Sequence, residues 1–136
     1  MHHDTNSQVD LEPNVPEDYF ADLARIQESF EGGAFVVAYS GEILVGMGGL
    51  FDTGEIVRMR VAAQYRRQGI ARLILQELIQ CAARLGFESI HLHTLQEQLG
   101  AQALYLNSGF VEVDRGGLHG NSVVAYTRPV ERPVGS

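Results

Sequence analysis

The chain has 136 residues, 45% of them hydrophobic and 20% charged, with a formal net charge of −7 and one cysteine. That is enough for one core but not for two, and the acidity speaks against general binding to nucleic acid or acidic membranes. The single Cys81 excludes an internal disulfide and a cysteine-built zinc site, and no apolar run approaches the ~18 residues that a membrane span needs.

Residues 1–16 are mostly polar, carry Pro13 and Pro16, and read as an irregular lead-in. Met1 to Gln8 shows no signal-peptide core, so cytoplasm is the expected location. Pro16-Glu17-Asp18 opens a helix, with proline early and acids in the first turn. Tyr19, Leu23, Ile26 and Phe30 recur at helical spacing and are expected to face a core, and Gly32-Gly33 ends the helix. Ala34 to Tyr39 and Ile43 to Phe51 read as an antiparallel hairpin around Ser40-Gly41-Glu42. Gly46-Met47-Gly48-Gly49 lies inside its second strand and opens no helix. It is therefore no dinucleotide loop, and its glycines mark a bulge or a close backbone contact. Asp52-Thr53-Gly54 turns the chain into a third strand, Glu55 to Val61.

A long amphipathic helix follows over Gly69 to Leu85, with Ile70, Leu73, Ile74, Leu78, Ala82 and Leu85 on one side. Gly86 ends it in the left-handed conformation. Cys81 sits in this helix as a small core residue. Ser89 to Thr94 alternates as a strand, Gln98 to Asn107 is a short helix closed by Gly109, and Phe110 to Asp114 and Ser122 to Thr127 are the last strands. Between those strands lies a Gly-rich loop containing His119, read as exposed. The tail from Arg128 carries Pro129 and Pro133 and is expected to be loose. The order predicts one α/β domain over residues 1–136 on a mixed sheet.

The run Arg66-Arg67-Gln68-Gly69-Ile70-Ala71 joins the third strand to the long helix. The first N–H groups of a helix have no partner inside it and sit at the positive end of its dipole, so together they hold anions. Arg66, Arg67 and Arg72 put three cations within seven residues of an acidic chain. The strand–loop–helix–strand unit is a crossover that sets Glu55-to-Val61 beside Ser89-to-Thr94 in parallel. The basic loop then lies at the carboxyl edge of the first strand, where ligands of open α/β sheets bind.

The run from Met59 to Arg72 resembles the acyl-CoA signature of the GNAT N-acetyltransferase superfamily, Arg/Gln-x-x-Gly-x-Gly/Ala, with Ala71 in place of the commoner second glycine. Ala101 to Phe110 is similar to the family's second signature, a helix ending in Tyr-x-x-x-Gly-Phe. The resemblance covers roughly residues 34–127. It implies a mixed, mostly antiparallel twisted sheet flanked by helices, with a central parallel strand pair splayed to admit acyl-CoA. It also implies transfer of an acetyl group from acetyl-CoA to a primary amine by direct attack, without a metal. The acceptor would be a small molecule or a peptide, and a homodimer is possible by analogy.

Residue by residue, the resemblance places the CoA pyrophosphate on the N–H groups of Gln68, Gly69, Ile70, Ala71 and Arg72, flanked by Arg66 and Arg67. The main chain of Val61 would meet pantetheine, and the N–H of Met59 would face the thioester carbonyl as an oxyanion donor. Tyr105 matches the tyrosine that protonates the departing thiolate, and Glu55 is the candidate base. His91 and His93 share a strand face by alternation. With no third ligand nearby in sequence, they read as filler rather than as a metal pair.

The chain departs from the family pattern at two places. Gln98 stands where the second signature often begins with Asn. Only sixteen residues precede the first predicted helix, so the N-terminal strand and helix are shortened. The first strand is then Val9-Asp10-Leu11 or is absent, leaving an acceptor site that is open or completed by a second subunit. A non-catalytic acyl-CoA-binding sensor or interaction module is the alternative to an enzyme, and turnover with an amine separates the two.

Overall fold

A computed structural model describes residues 6–11, 28, 30–118 and 121–131. In chain order these form β1 (Asn6–Leu11), β2 (Ala34–Ser40), β3 (Ile43–Leu50), β4 (Ile56–Val61), a 3-10 turn (Ala63–Tyr65), α1 (Ile70–Leu85), β5 (Ser89–Leu95), α2 (Leu99–Asn107), β6 (Val111–Leu118) and β7 (Asn121–Pro129). Most of the helix expected over residues 17–31, together with His119 and residues 132–136, lies outside the described residues.

The strands form two sheets, β1-β2-β3-β4 and β5-β7-β6. β1 pairs with β2 in parallel, and every other ladder is antiparallel. The sheets meet where β4 and β5 begin. There a single parallel bridge joins Glu55 to His91, and the His91 N–H donates to Gly54 O at 3.0 Å. Beyond that bridge no ladder connects β4 and β5, so the parallel pair opens toward its carboxyl ends. This is the splayed pair expected within a mixed α/β fold.

Residues 6–11 correct the expectation of an irregular lead-in, and the first strand is twice the length of Val9-Asp10-Leu11. It lies at the edge of its sheet, where main-chain pairing to one neighbour suffices. Such a strand needs no alternation of apolar residues to announce it.

The main core lies between α1 and the sheets. Ile70, Ile74, Leu75, Leu78, Cys81 and Ala82 form the buried stripe of α1. Leu73 and Leu85, expected on that stripe, are 41% and 38% exposed. At 100° per residue Leu73 falls on the flank of a stripe that runs through Ile74, Leu78 and Cys81. A second cluster of Phe30, Phe35, Val37 and Met47 is separate from the main core, and the Phe30 and Phe51 rings stack at 4.8 Å.

The glycines of β3 are explained by what approaches them. A Cβ on Gly48 would fall 2.6 Å from Met59 Sδ and 2.8 Å from Ile74 Cγ2, and one on Gly49 would fall 2.4 Å from the Phe30 ring. The missing side chains let α1 and β4 press on β3 on one side and Phe30 on the other. The β3–β4 register slips at this point, with Gly49 opposite Val57 but Met47 opposite Arg60. Arg58 and Met59 therefore bulge opposite Gly48, and Arg58 adopts φ 60. The bulge bends β4 just where it leaves β5.

Candidate active site

The gap between β4 and β5 holds two adjoining cavities. The larger, about 700 Å³, is lined by Met59, Arg60 and Val61 of β4, by the loop and first turn of α1, and by one face of α2. The smaller, about 320 Å³, is lined by Arg58 and Met59 of β4, His93, Thr94 and Leu95 of β5, Gln98, Tyr105, and Val123 of β7. Met59, Gln98 and Tyr105 belong to both walls and mark the passage between them.

The loop that precedes α1 is shaped by its backbone. Tyr65 closes the 3-10 turn and is buried, with its hydroxyl 3.5 Å from Ser40 Oγ. Arg66 is extended, Arg67 takes φ 66 and Gly69 takes φ 84 as the N-cap of α1. Residues in the left-handed region between extended and helical ones turn successive N–H groups toward one point, an arrangement that suits anions. A Cβ on Gly69 would meet nothing within 4 Å, so the glycine faces open space. Among the sequence-expected residues, Met59, Val61, Arg66, Arg67, Gly69, Ile70, Ala71, Arg72 and Tyr105 line the larger cavity together. Gln68 does not, because its amide turns away and donates to Gln64 O at 3.3 Å. Arg66 Nε donates to Val61 O at 3.3 Å, so the main chain expected to meet pantetheine already has its carbonyl in a hydrogen bond.

Tyr105 sits where the cavities join and is 7% exposed. Its ring lies 5.9 Å from both Phe110 and Tyr126. Burial, with a smaller contribution from Tyr126, raises its pKa above the ordinary phenol value, so Tyr105 stays protonated at neutral pH. Gln102, itself buried, anchors this helix: its Nε2 donates to Leu95 O at 3.1 Å and Gln96 O at 2.7 Å. The C-terminus is closed by Gly109 at φ 91, with Arg128 Nε donating to Ser108 O at 2.9 Å. Gln98 caps α2 without a side-chain bond to its backbone; its Oε1 accepts instead from Thr94 Oγ1 at 2.9 Å.

Glu55 lines neither cavity. Its Oε2 lies 3.8 Å from Nδ1 of His93, with the His93 side chain 51% exposed and that of Glu55 35%. An exposed pair of this kind contributes at most about 1 kcal/mol to stability. The structure separates the two histidines that the sequence treats alike. His91 takes the bridge to Glu55 and lies over Gly54, whereas His93, two residues on, reaches the smaller cavity beside Tyr105. His93, read from the sequence as filler, lines the smaller cavity, as does Arg58, which the sequence does not single out; the glycines of β3 mark the bulge opposite it but not which β4 residue it turns. Among the described residues, no group of three or more His, Cys, Asp or Glu could hold a metal ion, and no helix is long and apolar enough to cross a membrane.

The family model described as the Acetyltransferase (GNAT) family matches residues 3–110. N-acetyltransferase 8B of Rattus norvegicus is 34% identical over 99 residues, covering 66% of this chain and 45% of that protein. The chain thus spans about half the length of the curated relatives that it matches. A GNAT-family acetyltransferase from Staphylococcus aureus Mu50 superposes with a TM-score of 0.65 at 23% identity, over 87% of this chain and 82% of that one. A GNAT acetyltransferase from Elizabethkingia anophelis, solved with acetyl-CoA bound, superposes with a TM-score of 0.65 at 18% identity, over 86% and 92% of the two chains.

Proposed function

The chain belongs to the GNAT acetyltransferase family; on that premise we propose that it is an acetyltransferase that moves an acetyl group from acetyl-CoA to a primary amine by direct attack, through a tetrahedral intermediate. The observation that carries this reading is the opened β4–β5 pair, with the α1 N-terminus at one end of the gap and Tyr105 on the wall of both cavities. The N–H groups of Gly69 to Arg72 hold the pyrophosphate, with Gln68 contributing through its backbone alone. Arg66, Arg67 and Arg72 add positive charge around it. Pantetheine runs along β4 in the larger cavity, and the Arg66 side chain gives up Val61 O as it enters.

The amine approaches through the smaller cavity, so it meets the thioester where Met59 and Tyr105 face both spaces. The Met59 N–H stabilises the developing oxyanion. The Tyr105 phenol donates its proton to the leaving thiolate. Burial keeps that phenol protonated at neutral pH, so it meets the departing sulfur as a hydrogen-bond donor. Glu55, one residue before β4, supplies negative charge on the acceptor side, where the attacking amine must lose a proton. The acceptor is a small-molecule or peptide amine.

The test is release of free CoA thiol from acetyl-CoA with a panel of primary amines, including small amines, amino acids and peptides with free N-termini. Amine-dependent release with one acetylated product per thiol supports the reading. Binding of acetyl-CoA without release by any amine contradicts it.

A further inference from the structure

On the acetyltransferase reading above, the geometry points to His93 as the group that takes the proton from the acceptor amine, with Glu55 as its positioning partner. Three observations carry this. His93 lines the same cavity as Tyr105 and lies on the opposite strand from Met59, so it flanks the point where amine and thioester meet. No carboxylate lines either cavity among the described residues, so a carboxylate reaching the amine directly has no source there. Glu55, one residue before β4, has its Oε2 3.8 Å from His93 Nδ1. A carboxylate in that position lies on the Nδ1 side of the ring, which leaves Nε2 as the nitrogen away from it.

The step balances without a further reactant. The ammonium gives one proton to Nε2 of His93, and its freed electron pair forms the C–N bond to the thioester carbon as the carbonyl pair moves to oxygen. The oxyanion re-forms the carbonyl and expels the thiolate, which takes the Tyr105 phenol proton; the second proton on nitrogen passes through solvent to the tyrosinate, leaving the neutral amide, and His93 releases its proton to solvent. His93 thus works from the acceptor side and Tyr105 from the junction. Glu55 touches no reacting atom and acts only by holding His93 in place.

Two amines of similar size test this. Ethylamine is an ammonium ion at pH 7 and must be deprotonated before it can attack, whereas 2,2,2-trifluoroethylamine is already largely neutral and needs no proton removed before attack. Rates of acetyl transfer to each are measured with the unaltered protein, H93A, H93Q and E55Q. Because the His93 side chain is half exposed, neither substitution at 93 opens a void in the core. The proposal expects both His93 variants to lose on the order of 100-fold with ethylamine, the usual scale of a general base, and much less with trifluoroethylamine. E55Q should show the same selectivity at roughly one-tenth of the size, and added imidazole should restore ethylamine turnover in H93A but not in H93Q. Equal losses with both amines, or an ethylamine rate in H93A close to that of the unaltered protein, overturn the assignment of His93 alone. Failure of the unaltered protein to acetylate any amine overturns the acetyltransferase reading, and this assignment with it.

Discussion

Replacing Gly69 with aspartate should weaken acetyl-CoA binding by about 100-fold or more, and the structure allows the electrostatic part of that loss to be isolated. The Cβ itself meets nothing within 4 Å, so the substitution creates no clash with the rest of the protein. Its structural cost is the left-handed backbone at φ 84, about 1–2 kcal/mol for an ordinary residue and less for Asp or Asn. A carboxylate there would lie roughly 5 Å from the pyrophosphate. With an effective dielectric constant of about 40, each phosphate charge is then opposed by about 1.7 kcal/mol and two charges by about 3 kcal/mol. At about 1.4 kcal/mol per decade, that is a little over two decades in affinity. Asparagine has the same shape and tolerates the same backbone, so G69N carries the strain without the charge. Calorimetric titration of G69D, G69N and the unaltered protein with acetyl-CoA, with thermal melts to confirm folding, separates the two contributions. The gap between G69D and G69N should narrow as salt is raised. Affinities of G69D and G69N within about threefold of each other at low salt would refute the placement of the phosphates on this loop.

Y105F should lower kcat by about 10-fold or more while leaving acetyl-CoA affinity nearly unchanged, the pattern of a group that acts in the transition state; a steady-state assay with an unchanged kcat would remove its role as acid. G49A should destabilise the fold by about 1–3 kcal/mol, since the added methyl falls 2.4 Å from the rigid Phe30 ring; urea titration checks this, and an unchanged midpoint would show that Phe30 moves aside freely. Burial raises the pKa of both Tyr105 and Tyr126, so the folded state binds their protons more tightly than the unfolded chain. Their stabilising contribution is complete below the unfolded phenol value of about 10 and is lost as pH rises through it toward the folded values. Denaturation curves at pH 8 to 11 should therefore show stability falling at the alkaline end, less steeply in Y105F, and equal slopes in the two proteins would contradict this. Y126F should be neutral or stabilising, because the buried Tyr126 hydroxyl has no hydrogen-bond partner among the described residues; a loss above about 1 kcal/mol in the same denaturation assay would show that the hydroxyl is satisfied.

Much of this site is legible in the sequence because it is built from local signals. The basic run before a helix, the glycine that opens it and the glycine that closes it are each read within a few residues, and all stand where expected. Tyr105 is legible through its place in a short helix that ends in Tyr-x-x-x-Gly-Phe. What escapes the reading depends on contacts between distant strands. The glycines of β3 mark a bulge or close contact from sequence, but that Met59 packs over Gly48 and turns Arg58 is set by the partner strand. The different fates of His91 and His93 follow from a single bridge at Gly54 and Glu55, after which β5 turns away from β4. β1 escapes because an edge strand is held by its backbone, and the exposure of Leu73 escapes because six other side chains fill the helix stripe ahead of it.

A crystal structure with acetyl-CoA tests the central claim most directly. The account predicts pantetheine in the gap between β4 and β5, the pyrophosphate on the N–H groups of residues 68–72, the thioester carbonyl at the Met59 N–H and the sulfur within hydrogen-bond reach of Tyr105 Oη. Acetyl-CoA bound elsewhere on the protein, or bound with its sulfur turned away from Tyr105, would contradict it.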